Sequence, residues 1–285
     1  MCRFLVYRGR EVFLSDLLTR SERSLIRQSY KALERDEPLN GDGFGVGWYA
    51  HDIDPFPCVF TSTTPAWSNR NLSRLAEKIR STCVFAHVRA ASPDSSVSQV
   101  NCHPFQYQQF LWMQNGWIPD FSRVRRRLRD RLSDEFYNMI QGTTDTEHAF
   151  ALFLHRLGKH IHDYNLEVLC RTLVRTVRDL TKLHRDSESP EPAFFNFALT
   201  DGHNILATRC VSDATVVPQT LYITTGRRFG SADGAYDMTP ADGHVEAAII
   251  ASEPLTPDRE DWTPVPVNHM VVISPELHVR FVALD

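Results

Sequence analysis

The sequence predicts an α+β fold, because strand-like segments occupy both ends of the chain and helical segments lie between them. Residues 2–113 contain short apolar and aromatic runs bounded by turn residues, and similar runs with Pro and Gly breaks occur in residues 194–225 and 245–284. Residues 121–180 instead place apolar side chains at three- to four-residue spacing, which is typical of amphipathic helices. A regular alternation of strand and helix is not seen.

The composition is that of an ordinary globular protein, with 285 residues, 42% hydrophobic and 23% charged. The formal net charge of -4 argues against a general nucleic-acid binder, which carries a basic surface. Apolar runs stay shorter than the roughly 18 residues that a membrane helix needs, and arginines interrupt the apolar N-terminus, unlike a secretory signal. The 6 scattered cysteines, without a CxxC pair, fit a reducing compartment, so we expect a cytoplasmic protein.

The N-terminal part predicts several strands and one helical region. Residues 2–7 form a short buried strand, and residues 15–33 form a helical region that breaks near Ser21. Residues 40–43 are rich in turn formers and lead into the next strand. Further strands are expected at residues 82–88 and 109–113.

The middle part predicts helices. Thr144 and Glu147 form a capping-box pattern just before an apolar run. The exposed loop at residues 186–192 could separate two domains, but the strands after it look too irregular for a core of their own. We therefore expect a single domain over residues 1–285. Two apolar stripes mark the helices, one at Phe121, Val124, Leu128, Leu132 and Phe136, the other at Leu166, Leu169, Leu173, Val177 and Leu180.

Cys2 is the first candidate for chemistry. Removal of Met1 would place a thiol and a free α-amine on one residue, and the reference pKa of such an amine, about 7.7–8.0, suits proton transfer near neutrality. A terminal amine that serves as base for its own side-chain nucleophile is an established solution for acyl transfer. A packed strand cysteine with Met1 retained is the alternative.

A series of motifs resembles the class II glutamine amidotransferases, which are N-terminal-nucleophile (Ntn) hydrolases. The resemblance implies a four-layer αββα sandwich, in which helices flank two antiparallel sheets, and a cysteine amidohydrolase that needs no cofactor or metal. The later segment 251–255 resembles the single-domain branch of the family. The motifs, in family order, are MCRF at residues 1–4, NGDGFG at 40–45, FAHVRAAS at 85–92, NCHPF at 101–105, Asn115-Gly116 and TDTE at 144–147.

The resemblance assigns roles to particular residues, and each has a structural alternative. Asn115 and Gly116 are assigned to an oxyanion hole, although Asn-Gly is also a strong hairpin signal. Arg89, with Ser92 nearby, is assigned to the substrate α-carboxylate, which a planar guanidinium can hold in two hydrogen bonds. A structural salt bridge is the alternative for Arg89. Asp145 is assigned to the α-ammonium, although a carboxylate in the first turn of a helix is favourable by itself.

Several other features receive structural interpretations. The glycine-rich segment at 40–47 lacks both phosphate-loop patterns, so we predict a turn in which Asp42 accepts supporting hydrogen bonds. His103 is predicted to be structural. Gln114 stands where many family members have His, and Trp117 could narrow the pocket or provide an apolar wall for a leaving group. The arginines at 123–131 fit a solvated helix face or a partner surface, and His155, His160 and His162 fit surface positions better than a metal site.

Within the family, most of residues 1–155 resembles the amidotransferase subunit of the fungal DUG complex, which degrades glutathione together with a metallopeptidase-like subunit. The resemblance implies hydrolysis of glutathione at its γ-glutamyl bond, through a γ-glutamyl thioester on Cys2. One alternative is the γ-glutamyl amidohydrolase of an ergothioneine-type pathway. Another is a glutaminase or regulatory subunit that is active only with a partner protein.

Overall fold

The computed structural model describes residues 2–34, 39–92, 95–232 and 235–284. Its strands build two large antiparallel sheets and a separate hairpin. The strands are β1 (Arg3–Phe13), β2 (Phe44–Tyr49), β3 (Pro57–Ser62), β4 (Arg80–Val88), β5 (Phe105–Tyr107), β6 (Phe110–Asn115), β7 (Asn196–Thr200), β8 (Ile205–Arg209), β9 (Tyr222–Gly226), β10 (Arg228–Ala232), β11 (Ala235–Thr239), β12 (Ala247–Ala251), β13 (Thr263–Pro264), β14 (His269–Ile273) and β15 (Val279–Ala283).

Helices occupy the gaps between these strands, mainly in the middle of the chain. Short turns of other helical types occur at Asp16–Arg20, Ala66–Ser68, Gln99–Asn101 and Gly158–His162. The described part of the chain contains no helix long and apolar enough to cross a membrane. The α-helices are α1 (Leu25–Gln28), α2 (Arg70–Ala76), α3 (Phe121–Arg129), α4 (Asp134–Asn138), α5 (Asp145–Leu157) and α6 (Leu166–Arg185).

The two sheets pack face to face. The seven-stranded sheet has the order β13-β9-β12-β1-β4-β2-β3, and the six-stranded sheet has the order β15-β14-β8-β7-β6-β5. Strand β1 lies at the centre of the first sheet and is buried on both faces: Phe4 and Val6 contact the layer between the sheets, whereas Leu5 and Tyr7 contact the outer layer. Because successive side chains of a strand point to opposite faces, a doubly buried strand reads as a continuous apolar run.

Helices cover the outer face of each sheet. On the six-stranded sheet, Trp112 of β6 stacks on Phe150 of α5 with ring centroids 5.6 Å apart, and α3 and α6 extend the same hydrophobic cluster. On the seven-stranded sheet, the shorter helices α1 and α2 and the hairpin β10–β11 cover a second cluster. The predicted αββα sandwich of two antiparallel sheets is therefore confirmed.

Two predicted helices differ from the structure. The helical region at residues 15–33 consists only of one wide turn and the four-residue helix α1, with Ser21 extended between them as predicted. The apolar stripe from Phe121 to Phe136 spans two helices rather than one. Helix α3 ends at Arg129, and Ser133, whose backbone is extended with ψ 159°, precedes the first residue of α4. Phe136 still packs in the same cluster as Phe121, so the spacing predicted burial correctly but not continuity.

The other main elements agree with the sequence, and some were missed. Thr144 caps α5 by accepting a hydrogen bond from the backbone N–H of Glu147, 3.2 Å away. The Glu147 carboxylate accepts instead from the N–H groups of Gln141 and Gly142. The missed elements are short or half-exposed, so their apolar periodicity is weak: β3, α2, β5, β10 and β11.

Candidate active site

Cys2 directly precedes the central strand β1. The residue is 8% exposed, and Sγ donates a hydrogen bond to the carbonyl oxygen of Ala90 at 3.5 Å. Burial raises the pKa of this thiol to about 11; the positive charge of Arg89 acts to lower it, and the carboxylate of Asp145 acts to raise it. Two of the predicted substrate-binding groups therefore lie within electrostatic reach of the predicted nucleophile. Met1 lies outside the described residues.

A buried ion pair holds the backbone beside Cys2. Arg3 Nη1 donates to the carbonyl oxygen of Cys2 at 3.1 Å, and Arg3 Nε donates to Glu253 Oε1 at 2.9 Å. Both side chains are almost fully buried. The sequence did not predict that Arg3 and Glu253 hold the backbone at Cys2, although both residues lie in segments that resemble the family. No local pattern links two residues 250 positions apart.

Asn115 and Gly116 lie at the end of β6. Asn115 Nδ2 donates to Ser252 Oγ at 3.3 Å, and the same oxygen accepts from the backbone N–H of Phe4 at 3.0 Å, which brings Asn115 next to the first residues of β1. An amide nitrogen has two hydrogens, so one remains for another acceptor. Asn115 Oδ1 is buried without a partner among the described residues, which is rare unless a ligand or water supplies one.

Gly116 allows a close approach of two backbone segments. A Cβ at this position would lie 2.2 Å from the carbonyl oxygen of Phe194, which is far inside van der Waals contact. The Gln114 side chain fixes that carbonyl by donating to it from Nε2 at 2.9 Å. Any larger residue than glycine must therefore displace the backbone.

Gly116→Ala is expected to lower the free energy of unfolding by about 1–3 kcal/mol, because the added methyl group overpacks a rigid site. Urea denaturation followed by circular dichroism measures the change. Gly230→Ala is the matched control, since its Cβ would meet only Arg228 Nε at 3.5 Å. An effect at Gly116 no larger than that at Gly230 would contradict the expected overpacking.

Arg89 follows β4, as predicted, and its guanidinium is buried, with the residue 2% exposed. Arg89 Nη2 donates to Ser95 Oγ at 2.9 Å and to the carbonyl oxygen of Ser96 at 3.2 Å. Ser92 Oγ donates to the same Ser95 hydroxyl at 3.1 Å, which joins the two predicted substrate residues in one network. Among the described residues no carboxylate pairs with Arg89, so the structural salt bridge is not seen there.

The glycine-rich segment supports this loop. Asp42 Oδ2 accepts a hydrogen bond from the backbone N–H of Ala91 at 2.8 Å, as predicted for a supporting residue. Gly43 has φ +115°, and a Cβ there would lie 2.7 Å from Cys102 Sγ, so the turn requires glycine. The segment leads into β2 rather than opening a helix, which agrees with the rejection of a phosphate loop.

Asp145 is the first residue of α5. Its Oδ2 accepts from the backbone N–H of Ile118 at 2.6 Å, and its Oδ1 accepts from the N–H of Thr146 at 2.9 Å. Burial nevertheless raises the pKa of this carboxyl to about 6, while the two N–H donors act to lower it. The carboxylate is therefore mostly ionised at neutral pH and takes up a proton as the pH falls below about 6.

A pocket of about 180 Å³ lies beside these groups. Ser92 and Asp145 line it, and Trp117 supplies an apolar wall, as the sequence suggested. Cys2, Arg89, Asn115 and Gly116 are not among its described lining residues. The full lining is Ser92, Ser95, Trp117, Ile118, Pro119, Asp120, Phe121, Thr143, Thr144, Asp145, Pro190 and Glu191.

Buried polar residues behind the pocket hold its parts together. Gln114 Oε1 accepts from Thr146 Oγ1 at 2.7 Å, so this side chain links the end of β6 to the start of α5. His87 and His103 pack with ring centroids 4.1 Å apart. Burial lowers the pKa of His87 to about 3 and that of His103 well below its usual value, so both are neutral near pH 7. This agrees with a structural role for His103.

The remaining candidates lie away from the site. Arg123, Arg125, Arg126 and Arg127 are exposed on α3, in agreement with a solvated face. His160 and His162 are exposed, and the Nδ1 of half-buried His155 accepts from the N–H of Ser133 at 3.2 Å. No group of three or more potential metal ligands occurs within the described residues.

Comparisons with known proteins point to one family. The sequence model described as class-II glutamine amidotransferases matches residues 23–279. The chain is 42% identical over 293 residues to the probable glutamine amidotransferase DUG3 of Saccharomyces cerevisiae, covering 96% of this chain and 82% of that protein. It is 30% identical over 280 residues to the γ-glutamyl-hercynylcysteine sulfoxide hydrolase of Mycolicibacterium smegmatis, covering 98% of each.

Solved structures agree at the level of the fold. A glutamine aminotransferase class-II domain protein from Silicibacter pomeroyi matches over 100% of both chains, with a TM-score of 0.67 and 25% identity. The glutamine phosphoribosylpyrophosphate amidotransferase of B. subtilis matches over 100% of this chain and 49% of its own, with a TM-score of 0.60. Because that identity is 13%, it supports the fold alone.

Proposed function

The chain belongs to the class II glutamine amidotransferases, a family of enzymes, and we propose that it hydrolyses the γ-glutamyl bond of glutathione with Cys2 as nucleophile. The observation that carries the proposal is the position of the Cys2 thiol within reach of two opposite charges, those of Arg89 and Asp145. An α-amino acid head group carries the complementary charges. Cys2 would gain its free amine when Met1 is removed.

The buried thiol needs a base. With a pKa of about 11, the Cys2 thiol is protonated at neutral pH. Its own α-amine takes the proton as Sγ attacks the γ-carbonyl carbon, and passes it to the leaving nitrogen as the C–N bond breaks. This releases Cys-Gly and leaves a γ-glutamyl thioester. Water, deprotonated by the same amine, then breaks the C–S bond, and the amine returns the proton to Sγ as glutamate leaves.

The glutamyl head group is held by charge and by hydrogen bonds. The Arg89 guanidinium binds the α-carboxylate, and Ser92 donates a further hydrogen bond. The Asp145 carboxylate, fixed by two backbone N–H groups, binds the α-ammonium. Because Arg89 is buried and Asp145 is half-buried, these contacts are stronger than the same pairs would be in water.

The developing oxyanion is stabilised by two donors. The free Nδ2 hydrogen of Asn115 and the backbone N–H of Gly116 both lie at the end of β6, next to the strand that follows Cys2. Donors that are fixed before the reaction cost no reorganisation when charge develops on the carbonyl oxygen. The contact between Gly116 and the Phe194 carbonyl provides that rigidity.

Glutathione is proposed from the resemblance to the DUG glutathione-degradation complex, supported by 42% identity to the yeast protein. The 30% identity to a γ-glutamyl-hercynylcysteine sulfoxide hydrolase supports the alternative, a sulfur-bearing γ-glutamyl conjugate. Both substrates carry the same glutamyl head group, and they differ only in the leaving group.

We further propose a metallopeptidase-like protein partner, again from the DUG resemblance. The test compares glutamate release by the chain alone with release after that subunit is added. Faster release in the mixture is expected, and equal rates would remove the case for a partner that activates the enzyme.

The test of the function begins with intact mass spectrometry before and after treatment with a diazo-ketone glutamine analogue. Loss of Met1 and one adduct on Cys2 are expected. Glutamate release is then compared for glutathione, glutamine and γ-glutamyl-hercynylcysteine sulfoxide, with glutathione expected to have the highest kcat/KM. Retention of Met1 without an adduct, even with the partner present, would overturn the enzymatic proposal.

The pH profile provides a separate prediction for Asp145. The amine of Cys2 must be neutral, so log kcat/KM should fall with slope one below pH about 8. Burial raises the pKa of Asp145 to about 6, and below that pH its neutral form no longer attracts the substrate ammonium. The slope of log kcat/KM against pH should therefore steepen from one to two below pH about 6. In Asp145→Asn the slope should remain one, and a second break in this variant would contradict the assignment.

A further inference from the structure

A second cavity, of about 160 Å³, lies between α1 and the segment after β12. Its rim carries Arg23, Arg27 and Lys31, which recur every four residues along α1 and its flanking turns. Arg27 and Lys31 are exposed. Glu22 is the acidic side chain at the rim, so the cations are in excess there.

The inner wall of this cavity presents acceptors instead of cations. Gln28 is 3% exposed, and its Nε2 donates to the carbonyl oxygens of Arg23 at 2.8 Å and Glu253 at 3.2 Å. Its Oε1 is buried without a partner among the described residues. The Glu253 carboxylate also lines the cavity. A buried amide oxygen without a donor is costly, which indicates that a ligand or water completes it.

We propose that this cavity binds a small zwitterion with an ammonium at one end and a carboxylate at the other, an amino acid or a short dipeptide. The carboxylate pairs with Arg27 and Lys31 at the rim, and the ammonium donates to Gln28 Oε1 beside Glu253. A simple anion would leave the Gln28 acceptor without a donor. A simple cation would meet the basic rim.

The site is connected to the nucleophile through Glu253. That carboxylate accepts from Arg3 Nε at 2.9 Å and from the backbone N–H of Leu33 at 2.8 Å, and Arg3 in turn donates to the Cys2 carbonyl oxygen. An ammonium beside Glu253 competes with Arg3 for the same charge. The binding itself does not depend on the proposed function.

Isothermal titration calorimetry at low ionic strength tests the site, with glycylglycine as the probe. Saturable binding is expected, at least about tenfold tighter than that of acetate or methylamine, because each of these lacks one charged contact. The double variant Arg27→Gln and Lys31→Gln should weaken binding by about tenfold or more. Both side chains are exposed, so the fold is expected to survive.

Two control variants show which cavity binds glycylglycine. One is Arg74→Gln, on the exposed face of α2, and the other is Asp145→Asn, in the pocket of about 180 Å³ beside Cys2, here called the glutamyl pocket. Both should leave glycylglycine affinity unchanged. Absence of binding to the unmodified chain overturns the proposal. Binding that survives the double variant but is lost in Asp145→Asn also overturns it, because the probe would then occupy the glutamyl pocket. Neither result bears on whether Cys2 is the nucleophile.

Discussion

Cys2→Ala is expected to lower glutamate release by a factor on the order of 10⁴ or more, because removal of a covalent nucleophile leaves only the oxyanion and binding contributions. Cys2→Ser should lose almost as much activity. The hydroxyl is a much weaker nucleophile than a thiolate, and the α-amine base is matched to a thiol. Steady-state glutamate release, together with the mass of the protein after treatment with the diazo-ketone analogue, measures both losses.

Cys58→Ser is the matched control for this experiment. Cys58 is exposed on the edge strand β3, which strands β4 and β2 separate from β1. Its loss should therefore leave both activity and adduct formation unchanged. Retention of more than about one hundredth of the activity in Cys2→Ala would show that another group attacks the substrate. An adduct on Cys58 alone would contradict glutamyl-directed labelling.

Arg89→Met is expected to lower kcat/KM for a γ-glutamyl substrate by about 10³-fold, since the loss of one partner of a buried, hydrogen-bonded charge pair costs about 2–5 kcal/mol. Arg89→Lys should recover only part of this loss, because an ammonium lacks the planar fork that binds both carboxylate oxygens. The measurement is the kcat/KM of each variant, with Arg74→Met as the surface control.

A substrate analogue separates recognition from structural damage at this position. When the substrate lacks its α-carboxylate, the wild type and Arg89→Met should differ by less than about tenfold, because there is no longer a carboxylate to bind. If Arg89→Met is equally impaired toward both substrates, Arg89 supports the loop through Ser95 and Ser96 rather than binding the substrate. Urea denaturation of the variant would then show a matching loss of stability.

The sequence alone predicted those features that depend on local contacts. The short apolar and aromatic run at residues 2–7 predicted a buried strand, and β1 is central in its sheet. The Thr144 cap was predicted because capping depends on a side chain and an N–H only three residues apart. The motifs also led to Arg89, Ser92 and Asp145. Ser92 and Asp145 line one pocket, and Arg89 donates to Ser95 in the same lining, but the roles of all three toward a substrate stay predictions.

Only the tertiary structure decided the features that depend on distant residues. The non-helical residues 130–133 divide one predicted helix into α3 and α4, although the spacing of apolar residues continues through them. The Arg3–Glu253 pair, the clash that makes Gly116 obligatory and the second cavity all join segments far apart in the chain. The spacing of apolar side chains predicts which face of a helix or strand is buried. The residues that this face contacts depend on how distant elements pack against it.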